Sequence, residues 1–399
     1  VAATWNRSVL RTHNERLLLD RLRADGATSR AELARLTGLT KPTVSTALSR
    51  LETAGLVRQL GKVLVPGRGR SPVLYEADPS AGHALGVHIG RRWMRVALAD
   101  LDGLILARRD EPNEAEDADG IIAAVAALAR KVAAEADVPM DGILHTVVGG
   151  PGVIDPETRV VRYAVNLPGW GKEGVADRLE AQLGTALDLR NDADLAALGE
   201  YSAGAGQGRR LFVYLRAGTG LGGGIVVDGK LFAGAHGAAG ELGYLPWGTP
   251  GPGSAELGNS RGPLEAAATA DAVLAVARDK GLTDATTAKQ VFDAARAGDA
   301  RARAAVEEEA VRLAHGIASV AAVIDPELVV LGGGVGDNPD LLLPLIRTVL
   351  PQLTPLHPEV AASTLGDGAV LHGAVAMAVE VARELAFEKW QDAQEPEAQ

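Results

Sequence analysis

Phe212-Val213-Tyr214-Leu215-Arg216-Ala217-Gly218-Thr219-Gly220-Leu221-Gly222-Gly223-Gly224-Ile225-Val226-Val227, closed by Asp228-Gly229, is the stretch that decides the fold of this chain. Two apolar runs with strand propensity flank a glycine-rich segment. Asp-Gly after the second run is a strong hairpin signal. The glycines allow the backbone to approach a ligand and to adopt positive φ, and their successive N–H groups can cradle an anion. Downstream, Glu241 and Glu265 are candidate carboxylates for a polar ligand. The same residues also suit a glycine-softened β-meander that binds nothing.

Working outward, Leu85–Gly90, Met94–Asp100 and Leu104–Leu106 read as strands, with a turn at Asp102-Gly103. That order repeats at residues 212–233, which predicts a duplicated α/β fold with a cleft between its lobes. Ile121–Ala136 reads as a helix with Ile122, Val125, Leu128 and Val132 inward, and Ile143–Val148 as a buried strand running into Gly149-Gly150-Pro151-Gly152. Leu187–Arg190 is a short strand that ends at Asn191-Asp192, just before a helix over Ala193–Glu200. Polar residues at that end of a strand lie where α/β proteins hold ligands. Asp192 could serve as a general base, accept from a hydroxyl, or simply cap the helix. Residues 261–315 are mostly helical, and Ile324–Leu331 is strand-like and followed by Gly332-Gly333-Gly334. The last helix spans Gly373–Leu385, and the polar tail from Lys389 is expected to fray.

The 399 residues contain no cysteine, which excludes disulfides, thiolate catalysis and thiolate zinc sites. No apolar run is long enough to span a membrane, and no signal peptide is visible, so a cytoplasmic location is expected. Charge is divided along the chain. Residues 1–80 carry 13 Lys and Arg against 7 Asp and Glu, a net of +6 within a chain of −11, which leaves −17 for the remainder. A small basic module on a large acidic body suggests a nucleic-acid reader joined to a separate unit.

In the basic module Asn14 can cap a helix holding Leu17, Leu18 and Leu22, which ends near Asp25-Gly26. Ser29-Arg30-Ala31-Glu32 is a capping-box pattern for a second helix, with Gly38 as its C′ residue. Thr40 can cap a third, with Pro42 in its first turn. Val44, Leu48 and Leu51 recur at helical spacing and face the core, leaving Lys41, Thr43, Ser45, Thr46, Ser49 and Arg50 outside, a set suited to the major groove. Two strand-like pieces, 56–60 and 73–75, surround Gly67-Arg68-Gly69-Arg70-Ser71-Pro72, a β wing with two arginines at its tip. Arg68 and Arg70 are expected to supply affinity, and Ser45, Thr46 and Arg50 sequence choice. Asp78–Gly82 reads as a linker. One such head is too small to be selective alone, so a homodimer or tetramer on an inverted-repeat operator in double-stranded DNA is expected.

Taken together, the chain resembles the ROK family of bacterial sugar kinases and sugar-responsive repressors, and its front module resembles the repressor branch. The likeness rests on Gly150-Pro151-Gly152, Asn166-Leu167-Pro168-Gly169-Trp170, Asn191-Asp192, Ala217–Gly224, Gly240-Glu241-Leu242-Gly243, Arg261-Gly262-Pro263-Leu264-Glu265 and Leu331-Gly332-Gly333-Gly334, in that order. It implies an α/β chain: an N-terminal winged helix-turn-helix over 1–80, then a two-lobed actin-like ATPase (ribonuclease H-like) sugar-kinase fold. The implied small lobe is 83–192, completed by a C-terminal helix at 373–388, and the large lobe is 193–372. It also implies that Asn191, Asp192, Glu241 and Glu265, with Asn166 and Tyr244 beside them, bind sugar, and that in a kinase Asp192 would be the general base.

Two departures bear on activity. Where the family's kinases carry Asp-x-Gly-Gly-Thr for metal and phosphate, this chain reads His88-Ile89-Gly90-Arg91-Arg92. Phosphoryl transfer depends on that positioning, so no catalysis and no cofactor are expected. The family's structural zinc uses three cysteines and a histidine. Here there is no cysteine, and Tyr244 stands at the histidine, so no metal is expected. The expected function is a sugar-responsive transcriptional regulator. The alternatives are a sugar kinase with an appended DNA-binding domain and a ligand-independent regulator. His88, Arg91 and Arg92 also offer a place for the phosphate of a phosphorylated effector, against the simpler alternative of a free sugar with the arginines solvated.

Overall fold

The computed structural model describes residues 7–62, 72–155, 158–162, 167–248 and 262–392. The chain opens with α1 (Arg7–Asp25), which buries Leu18, Leu19 and Leu22. It starts ahead of Asn14, because no glycine or proline interrupts residues 7–25. The two-residue strand β1 (Thr28–Ser29) leads into α2 (Arg30–Thr37). The Ser29 side chain accepts from the Glu32 N–H, and Gly38, at φ 71°, donates to the Ala34 carbonyl, an αL stop that suits glycine. Thr40 caps α3 (Lys41–Thr53), which buries Val44, Ala47, Leu48 and Leu51. β2 (Val57–Lys62) and β3 (Val73–Ala77) complete a small sheet in the order β1-β3-β2. The wing tip with Arg68 and Arg70 lies outside the described residues.

The expected linker is a docked joint. Asp78 Oδ1 accepts from the Ser80 N–H at 3.0 Å, and the Pro79 carbonyl accepts from Leu101 N–H at 3.0 Å.

Two five-stranded sheets of identical order follow. The first is β6 (Ile105–Pro112), β5 (Trp93–Asp100), β4 (His83–Ile89), β7 (Ile143–Gly150), β10 (Leu187–Asn191). The second is β13 (Lys230–Leu231), β12 (Leu221–Val227), β11 (Leu211–Ala217), β14 (Leu328–Gly332), β15 (Glu359–Ala362). In each, three antiparallel strands are extended by two parallel ones, so the repeat legible at 85–106 and 212–233 is a repeat of topology. The second hairpin turns at Asp228 (φ 49°) and Gly229 (φ 79°), the two positive φ values a type I′ turn requires. A short two-stranded ribbon, β8 (Val153–Ile154) with β9 (Val161–Arg162), hangs beside the first sheet.

Against the first sheet, α4 (Ala118–Glu135) buries Ile121, Ile122, Val125, Leu128 and Val132, and α5 (Val175–Leu183) buries Leu179 and Leu183. The helices α7 (Pro263–Ala267), α8 (Ala270–Asp279), α9 (Ala288–Arg296), α10 (Ala300–Ile324), α11 (Gly333–Gly336) and α12 (Pro339–Leu353) belong to the second half, and most of them enclose one apolar core.

Two helices join the halves: α6 (Asp192–Ala203) lies on the second sheet and α13 (Ala369–Asp392) on the first, and they pack on each other. They cross at backbone contact, since a Cβ on Gly199 would meet the Ala369 carbonyl and one on Gly373 the Leu195 carbonyl. α13 begins before Gly373 and runs past Lys389, so the expected fraying does not begin there. Its last turns have partners that are remote in sequence. Arg16 is over the Phe387 ring (5.6 Å) and paired with Glu384, and Arg50 is over the Trp390 ring (5.7 Å). Ala386, Phe387 and Trp390 share one core with Leu18, Leu48 and Leu51 of the head.

Candidate functional site

The candidate site, at the place expected for the cleft, lies where the ends of β10 and β11 meet the N-terminus of α6. Asn191, not Asp192, caps α6: its Oδ1 accepts from Ala193 N–H at 2.7 Å, while its amide nitrogen donates to the Gly152 carbonyl at 2.9 Å. Both ends of its amide thus brace the strand and loop, with one N–H and one oxygen lone pair left over. Asp192 is freed for another partner, Arg216 at the end of β11, whose Nη1 lies 2.8 Å from Asp192 Oδ2.

Arg216 was not singled out in the sequence. The signal was present, a lone cation ending an apolar strand immediately before a ligand-type glycine turn. The glycines behind it have packing reasons. A Cβ on Gly224 would lie 2.6 Å from the Ala193 carbonyl oxygen, so the glycine run lets β12 approach the start of α6. Gly333 takes φ 83° and leaves room for the Arg216 stem.

On the first sheet, β4 and β5 set His88 opposite Arg95. Arg95 Nη1 donates to His88 Nδ1 at 3.3 Å, and arginine can only donate, so the imidazole hydrogen sits on Nε2. Burial, followed by the charges of Arg216 and Arg95, lowers the His88 pKa to about 3, although Asp110 opposes this. His88 is therefore neutral, with its one N–H donor on Nε2. Arg91 and Arg92 are exposed in the β4–β5 turn. Arg95 also reaches Asp110 (3.3 Å) and Asp367 (3.5 Å).

The opposite wall is acidic. Glu241 precedes a 3-10 turn over Leu242–Tyr244, and burial, then Asp192 and Glu265, raises its pKa. Glu265 lies on α7, its Oε2 against Gly243. Asp194 was also missed. Burial, then Glu241, raises its pKa to about 7. So Asp192, Glu241 and Glu265 are brought together as expected, with Asp194 added to them. Tyr244 is 47% exposed beside them. Asn166 lies outside the described residues. With no cysteine in the chain and a tyrosine at position 244, the donor set does not fit a thiolate zinc site. Among the described residues no group of three or more His, Cys, Asp and Glu could hold a metal ion.

On the head, Lys41 and Thr46 are exposed, and Thr43 and Ser45 are partly so. The Thr43 hydroxyl is shared with Thr40 at 2.8 Å. Arg50 departs from expectation. Its Nε lies 3.1 Å from Oε1 of Glu15, a carboxylate 1% exposed, and its guanidinium covers Trp390. These contacts place it at the joint between α1, α3 and α13.

With this geometry in hand, the chain belongs to the ROK family, which it matches over residues 84–381, and its front matches a winged helix-turn-helix DNA-binding module over residues 11–58. It is 28% identical over 391 residues to the xylose repressor of Caldicellulosiruptor bescii, covering 94% of this chain and 97% of that one. It is 33% identical over 314 residues to a glucokinase of Thermotoga maritima, covering 74% of this chain and 97% of the relative. In fold it is similar to the crystal structure of a ROK family transcriptional regulator described as a homologue of the E. coli MLC protein. The TM-score is 0.79 at 20% identity, over 96% of this chain and 98% of that one. The fold is accordingly an N-terminal winged helix-turn-helix followed by an actin-like, sugar-kinase-like α/β body.

Proposed function

We propose that this protein is a sugar-responsive DNA-binding transcriptional regulator, a repressor of carbohydrate genes, that binds its effector in a kinase-like cleft without phosphoryl transfer. One observation carries the reading. α13 follows directly on the segment holding Asp367, which touches Arg95 in the cleft, and carries Trp390, near its end, in the core of the head. A ligand that shifts the two halves about the α6–α13 crossing also shifts the element on which the head is built. A ligand changes DNA affinity only by binding one arrangement better than the other, and α13 supplies the arrangement that both sites share. The xylose repressor relative covers 94% of this chain, whereas the glucokinase relative covers 74%.

The absence of catalysis rests on the same cleft. His88 stands where the family's kinases have an aspartate, and Arg91 and Arg92 stand where they have Gly-Thr. The active unit is a homodimer or tetramer on an inverted repeat, since each chain brings one small head. The test is a thermal-shift screen of free aldoses and their phosphates on the full chain, run alongside ATP turnover with magnesium. A sugar-dependent rise in melting temperature without turnover is expected. Sugar-dependent ATP consumption would establish the kinase alternative instead.

A further inference from the structure

The Arg216–Asp192 pair has a consequence for which sugars the cleft accepts, and it rests on the regulator reading above. Asp192 is set into the wall, its side chain 11% exposed, while Arg216 is 35% exposed and open to the cleft. The arginine is held from behind: its Cγ lies 3.1 Å from where a Cβ on Gly333 would sit. A guanidinium carries five N–H donors in a rigid fork. One is on Asp192, which leaves donors on the exposed side, and the carboxylate keeps lone pairs that Arg216 does not use.

The charges around this pair do not favour an anion. Arg216 is held protonated chiefly by Asp192, against the effect of burial, with Asp367 and Asp337 adding. Arg95, which is buried, is shared between Asp110 and Asp367, and His88 is neutral. A phosphate monoester entering here would meet the carboxylates of Asp192, Asp367 and Asp337, which repel it. A hydroxyl meets no such obstacle, because it can donate to Asp192 and accept from Arg216 at once. Like-charge juxtaposition is an effective means of rejecting a wrong ligand.

We infer that Arg216 and Asp192 act as a donor–acceptor pair that reads one free hydroxyl of a neutral sugar and rejects the same sugar esterified with phosphate at that position. Arg216 is thus a specificity-determining residue, and this reading is the opposite of a phosphate site at His88, Arg91 and Arg92.

The experiment is calorimetric titration of the full chain with matched pairs: glucose and glucose 6-phosphate, mannose and mannose 6-phosphate, xylose and xylose 5-phosphate. Wild type, Arg216→Ala and Arg216→Lys are compared, with melting curves to verify folding. The expected result is that the sugar that binds does so at least about tenfold more tightly than its phosphate ester. Arg216→Ala should weaken the free sugar by about tenfold, the loss of one charge-assisted hydrogen bond, and Arg216→Lys should weaken it less. Should the variants fail to fold, the wild-type pairs alone decide. A phosphate ester that binds as tightly as its free sugar, or a folded Arg216→Ala with unchanged free-sugar affinity, overturns the inference and leaves the regulator reading intact. Binding by no member of any pair overturns the sugar reading itself, and this inference with it.

Discussion

Glu15 and Arg50 show how one ion pair serves the head. Glu15 is almost fully buried; burial raises its pKa, while Arg50 and Arg11 pull it down. Removing one partner of such a pair leaves a buried charge, at a cost of about 3 kcal/mol. Arg50→Ala should therefore destabilise the head, measured by urea unfolding, and weaken DNA binding equally across sequences. A changed operator preference with unchanged stability would return Arg50 to the reading face. Glu309 on α10 makes a second test. It is 1% exposed, and neither carboxylate oxygen has a hydrogen-bond partner among the described residues. Burial raises its pKa from an ordinary 4.5 to about 8, Arg312 opposing and Glu308 adding. A folded pKa above the unfolded one means that the folded state holds the proton more tightly. The associated stability is fully present below about pH 4.5 and is lost as pH rises through about 8, at roughly 1.4 kcal/mol per pH unit in between. Glu309→Gln should remove that slope. Parallel slopes for variant and wild type in urea melts across this range would contradict it.

At the scale of elements, the α6–α13 crossing is the joint on which the account depends. A methyl at Gly373 would be driven into the Leu195 carbonyl oxygen, a backbone atom with nowhere to go. Gly373→Ala should cost about 1–3 kcal/mol, as overpacking does. Gly334→Ala, where no atom lies within 4 Å of the added carbon, should leave the melting temperature nearly unchanged. Equal effects of the two would mean that the helices do not meet as described. The elements themselves were largely legible, because their signals are local: Asp-Gly turns, the Ser29 and Thr40 caps, the αL stop at Gly38 and the repeated strand order. What could not be read depends on distant partners. The last turn of α13 is polar in sequence, yet it is helical because Arg16 and Arg50 lie against it from the other end of the chain. Which of Asn191 and Asp192 caps α6 was decided by Arg216 and Gly152, neither a neighbour in sequence. The glycines around Arg216 were conspicuous and the arginine was not, because a single cation beside a strand carries no spacing pattern.

For the whole molecule, a head of net +6 sits on a body of −17. The body repels the DNA that the head attracts, so where the head is held relative to the body governs affinity. α13 fixes that position by sharing a core with both. The most direct measurement is fluorescence anisotropy of the full chain on duplexes selected by it from a random pool, at fixed salt, with and without the sugar that stabilises it in the thermal-shift screen. A several-fold change in DNA affinity on adding sugar, with no ATP consumed, is what the account predicts. A selected duplex bound with the same affinity at saturating sugar would contradict it, and would leave a DNA-binding protein whose cleft does not speak to its head.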